Sequence, residues 1–179
     1  NDILNVIFSL KLGDFSRANE IMREIESAIG GSLLTRPLFV PNNYFGISDS
    51  FFSAAFFSFL SALCRRPFCP TEALRNIHVG IEAIRQCHLR MCDYPPSSAP
   101  NCLCVPPQHI QEFYRTVWLH FMLLESRAHI EITQRKLTNA LNTIIEAVVL
   151  FLRFDLQSAH PTAFLSVLYV LLGCYGSSL

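Results

Sequence analysis

The chain has 179 residues, 51% of them hydrophobic and only 16% charged, with a formal net charge of zero; an average domain carries about 25% charged residues, so this one can bury a large core and still leave apolar surface for a partner. No dense basic run is present: the only lysines are Lys11 and Lys136, and the pairs Arg65-Arg66 and Arg135-Lys136 are short, which removes the electrostatic footprint of a nucleic-acid binder. The longest apolar stretches, within 51–64 and 163–176, fall short of the roughly 20 residues that cross a bilayer.

Taken in order, Ile3, Ile7 and Leu10 give a first helical stripe that ends at Gly13. A second helix is expected from Phe15 to Ile29, with Ala18, Ile21, Met22 and Ile25 on its apolar face and Asp14 as its cap. Residues 31–47 hold two prolines and two asparagines and read as a connection, though an apolar one. A third helix, from about Ser48 to Leu63, carries phenylalanine on every side, which marks it as the central helix.

Pro70 and Thr71 open a fourth helix with Leu74, Ile77, Ile81, Ile84 and Met91 in phase. A Pro-rich stretch at 93–107 then divides the chain into two helical halves. The fifth helix is expected over Gln108–Glu131, with Ile110, Phe113, Val117, Phe121 and Leu124 as its stripe. The sixth covers Leu137–Phe154 and a seventh Pro161–Cys174. Strand alternation is scarce, so the expected fold is a single all-α domain of six or seven helices. Beginning at Asn1 with no secretory signal, the chain reads as a section of a larger intracellular protein, cytoplasmic or nuclear.

The corner "LGDF" at 12–15, followed by Ala18 and Met22, resembles a tetratricopeptide (TPR) helical hairpin. Gly13 frees the backbone, Asp14 caps, and Ala18 lets the two helices approach. The resemblance covers residues 1–29 only; no second copy follows at the family's period of about 34 residues. It leaves two architectures open, an irregular TPR-like α-solenoid or a compact helical bundle. It implies a domain that binds peptides or other subunits and does no chemistry of its own.

Six of the seven cysteines fall between 64 and 104. Cys87, Cys92, Cys102 and Cys104 could converge on a structural zinc, although C-x4-C and C-x-C are unusual spacings for it. The alternative is that the cysteines pack as small buried hydrophobes with no cofactor. No nucleophile elbow, phosphate loop or paired metal-ligand motif is present, so the chain is not expected to be an enzyme.

Candidate contact residues come from residue type. Tyr114, Arg115 and Trp118 on the fifth helix are of the kinds enriched at binding hot spots. Leu165, Leu168 and Tyr169 belong to a final helix that is apolar nearly all round. The expected function is a protein–protein interaction or scaffold domain whose partner is another subunit or a second copy. A helical regulatory domain with an apolar ligand pocket, of the sort found in some transcription regulators, is the alternative.

Overall fold

The computed structural model describes residues 2–28, 50–92 and 107–154, together with Thr162, Ser166, Tyr169, Val170 and Gly173. Among these residues the fold is all-α, with six helices and no strand: α1 (Asp2–Lys11), α2 (Phe15–Ala28), α3 (Ser50–Arg65), α4 (Pro70–Cys92), α5 (Pro107–Thr133) and α6 (Leu137–Arg153). The five isolated positions near the C-terminus are also helical. The segment 93–106 lies outside the described residues.

Helices adjacent in sequence pack on one another throughout, and α3 also meets α1 on one side and α5 on the other. Two apolar clusters result. Val6, Ala18, Ile21 and Met22 of the first hairpin close over Phe57, Leu60 and Cys64 of α3. Ala55, Phe59 and Ala62, on another side of α3, join α4, α5 and α6 in the larger cluster. Phe56 packs against both, so the phenylalanine-rich helix is the shared wall between two cores. Full burial of each such side chain is worth about 1.5–3 kcal/mol.

The three hairpins share a buried register. Ala18, Ala73 and Ala140 are each the fourth residue of the second helix of a pair, and all three are fully buried. Three residues on stand Ile21, Asn76 and Thr143, and four on stand Met22, Ile77 and Ile144, again all buried. In the first helices, Val6, Ser61 and Ala128 hold one equivalent buried position and Ser9, Cys64 and Glu131 another. A small residue where two helices cross lets their backbones come close, which explains an alanine at the same place in all three.

The corner at Gly13 takes the form its residues suggest. Gly13 has φ +76°, its N–H bonds Leu10 O at 3.1 Å, and the Asp14 N–H bonds Ser9 O at 2.9 Å. This is a Schellman closure, which satisfies the last carbonyls of a helix. The Asp14 carboxylate then accepts the Arg17 N–H at 3.0 Å and caps α2. Phe15 is half-buried, and Val6, Ala18, Ile21 and Met22 form the hairpin's interior.

A polar cluster pins α2, α3 and α4 together. Glu26 near the end of α2 accepts from Ser61 at 3.0 Å and from Arg65 at 2.5 Å, while Asn76 of α4 donates to Ser61 at 2.9 Å. Arg65 also donates to Ser61 and reaches Glu72 at 3.5 Å. The end of α2 therefore sits beside the last turns of α3. Ser61 is about 16 Å along the helix axis from Ser50 at 1.5 Å per residue, a distance no tight turn covers. That is a physical reason for the long connection between α2 and α3.

Candidate interaction surface

Of the expected contact residues, Tyr114 and Arg115 are exposed on α5. Trp118 is half-buried. Its indole stacks on Phe121 at 5.3 Å between ring centroids and meets Phe151 of α6 edge-on at 6.5 Å. Phe121 and Phe151 are themselves T-shaped at 4.4 Å, and Phe113 meets Phe154 at 5.2 Å. The favoured aromatic geometries place Trp118 in the α5–α6 seam, with Tyr114 on its outer edge against Phe113 at 6.4 Å. Tyr169 is 77% exposed. Leu165 and Leu168 lie outside the described residues.

Two apolar stripes stand out that the helical pattern had not singled out. On α1 and its following turn, Leu4, Phe8 and Leu12 are 68%, 63% and 68% exposed. Their i, i+4, i+8 spacing puts them on one side of the helix, away from the buried Val6. On α6, Ile145, Val149 and Leu152 form a second exposed line at i, i+4, i+7. The signal was present in the sequence: α1 carries apolar residues on two faces, and the stripe of Ile3, Ile7 and Leu10 accounts for only one. Ile110, placed on the α5 stripe by its spacing, is exposed because it lies one turn beyond the part of α5 that its neighbours cover.

The cysteine cluster is only partly in view. Cys87 is fully buried in α4, and Cys64 fully buried in α3, where burial pushes its thiol up to about 11. Cys69 is exposed at the turn before α4. The side chain of Cys92, and Cys102 and Cys104 entirely, lie outside the described residues. Among the described residues no group of three or more histidines, cysteines and carboxylates could hold a metal ion.

An apolar cavity of about 150 Å³ lies between α5 and α6, lined by Leu124, Ala128, Ile144, Ala147, Ser166 and Val170 among others. A polar cleft of about 270 Å³ opens between α4 and α5 beside His78, Glu82, Arg85 and Arg127. Its charges are largely matched: Arg127 is held by Glu131 at 2.9 Å, and Arg85 lies 3.7 Å from Glu82 and 4.0 Å from Glu146. Among the described residues no helix is long and apolar enough to cross a membrane.

Compared with protein-family models, curated proteins and solved structures, the chain matches none of them.

Proposed function

We propose that this chain is a non-enzymatic helical interaction domain, an irregular array of αα-hairpins that holds a partner subunit or a second copy of itself. The observation that carries the reading is the stripe of Leu4, Phe8 and Leu12 on α1 and its following turn, exposed among the described residues. Three large apolar side chains in line on one helix face form the kind of patch that another protein covers. The shared register of Ala18, Ala73 and Ala140 supports the array, because hairpins stacked side by side bury equivalent positions. Tyr114, Arg115 and the rim of Trp118 offer a second contact area of suitable composition.

The ligand-pocket reading draws less support. The apolar cavity of about 150 Å³ is well below the 300–1,000 Å³ typical of small-molecule sites.

Native mass spectrometry of the chain, from low to high micromolar concentration, tests the reading alongside the Leu4→Glu/Phe8→Glu variant. The expected result is self-association, or binding of a hydrophobic dye where no second copy binds, in the wild type and its loss in the variant. A wild-type monomer that binds no dye would overturn the proposal.

A further inference from the structure

His120 of α5 is 8% exposed, and neither of its ring nitrogens has a hydrogen-bond partner. His88 of α4 stands beside it, with ring centroids 5.7 Å apart, and its buried Nε2 is likewise unpartnered. Phe113 lies 6.0 Å from His88 and in turn packs on Phe154 at the end of α6. Two imidazoles are thus set into an aromatic seam where α4, α5 and α6 meet. A buried polar nitrogen without a partner costs free energy, so such groups in a native fold call for an explanation.

Among the described residues the charges that act directly on the two rings are positive, although Arg85 itself lies 3.7 Å from Glu82 and 4.0 Å from Glu146. Arg85 of α4 acts on His120, and Arg153 of α6 acts on His88. The only charged residue of α3, Arg65, is committed to Glu26 and Glu72. Among the described residues no carboxylate acts on either ring. A proton added to one imidazole would create a cation in an apolar seam, beside a second imidazole and within the field of an arginine. Among the described residues no carboxylate is placed to balance it, and burial limits its solvation, more at His120 than at the half-buried His88.

We propose that His88 and His120 form an acid-sensitive latch on the α4–α5–α6 seam, which holds while both rings are neutral and releases when either takes a proton. The direction follows from linkage. Burial, ahead of the neighbouring charges, lowers both groups below the ordinary histidine value, His120 to about 4. The opened seam therefore binds more protons than the closed one. Closure is complete above about pH 6.5 and is lost as pH falls through that value toward the value of His120. The inference does not depend on the partner-binding reading.

The test follows amide hydrogen exchange over α5, and the emission of Trp118, as pH is lowered from about 7 to about 5. Trp118 is the only tryptophan and lies two residues from His120. In the wild type, the protection of α5, after correction for the slower intrinsic exchange at lower pH, falls and the Trp118 emission shifts to the red, while the α1–α2 hairpin stays protected. The opening constant grows by up to about tenfold per pH unit for each proton taken up. His88→Phe and His120→Leu each flatten the pH slope, by up to about one proton, and His129→Gln, at an exposed histidine of α5, leaves it unchanged. Either latch variant that folds at neutral pH decides the question. A slope unchanged in that variant, or lost in His129→Gln, would overturn the latch.

Discussion

Thr143 of α6 donates a 2.8 Å hydrogen bond to the carboxylate of Glu131 on α5, whose other oxygen takes the Arg127 Nε–H at 2.9 Å. Glu131 is almost fully buried, yet both its oxygens are used, so the charge is tolerated in the core. Thr143 and Glu131 occupy the same hairpin positions as Asn76 with Cys64 and Ile21 with Ser9. One pair of buried positions therefore holds a threonine and a carboxylate, an asparagine and a thiol, and an isoleucine and a serine in the three hairpins.

The first prediction follows from that asymmetry. Arg127→Ala strands a buried carboxylate and should cost about 2–4 kcal/mol, somewhat less than a fully buried pair because Arg127 is partly exposed. Thr143→Val removes one of two supports and should cost about 1–2 kcal/mol. Replacing both Arg127 and Glu131 with Leu should be milder than Arg127→Ala alone. Urea unfolding followed by circular dichroism would rank the three, and a costlier double variant would refute the account.

The buried alanines make a second prediction. A residue larger than alanine at 18, 73 or 140 must push two helices apart, so Ala→Leu at each should destabilise by about 1–3 kcal/mol or more. Gly80 is a comparable close approach, since an added Cβ would lie 2.8 Å from Leu123 Cδ2. Leu123 is fully buried and has little room to move, so Gly80→Ala should lose stability despite its gain in helix propensity. Thermal melts of the four variants check both statements. Unchanged melting temperatures would mean that the crossings are looser than these contacts indicate.

Much of this architecture can be read from the residues alone. The 3.6-residue period in Ile77, Ile81 and Ile84, or in Val117, Phe121 and Leu124, places the helices to within a few residues, because burial and periodicity coincide there. The likeness among the hairpins is harder to see. Their second helices begin at Phe15, Pro70 and Leu137, well beyond a period of about 34 residues, and alanine is the one residue type they share at the crossing. Chemistry diverges at equivalent positions because a crossing demands volume more than identity. The second apolar face of α1 can be read from its residues, but which of its two faces stays exposed, and that the rings of His88 and His120 lack partners, depends on what lies across from a side chain, which a single sequence does not encode locally.

The third prediction rests on two corners of one shape. At the α5–α6 turn the Arg135 N–H bonds Ile132 O at 2.9 Å and the Lys136 N–H bonds Glu131 O at 2.9 Å, the same closure as at Gly13 and Asp14. Arg135 adopts φ +59° there, the left-handed region that glycine occupies at little cost. Arg135→Gly should therefore stabilise the chain by about 0.5–1 kcal/mol, and Gly13→Ala should destabilise it by about 1–2 kcal/mol. Nothing lies within 4 Å of an added Cβ at Gly13, so backbone conformation alone sets that cost. Denaturant titrations of both single variants would show opposite signs; two changes of the same sign would rule the shared corner out.

The thiols give a fourth prediction. Cys64 is fully buried in the wall between the two cores, and burial, against the partial help of the Arg65 charge, pushes its thiol up to about 11. At pH 8 almost none of it is thiolate, the form that reacts with an alkylating agent. Cys69, four residues into the following turn, is exposed. Brief treatment of the folded chain with iodoacetamide should label Cys69 and leave Cys64 unmodified, with peptide mass spectrometry giving site occupancy. Labelling at Cys64 should appear only with urea, at the concentration where α3 separates from the α1–α2 hairpin. If the two cysteines react at similar rates without denaturant, the wall that α3 forms between the cores opens far more readily than its packing implies.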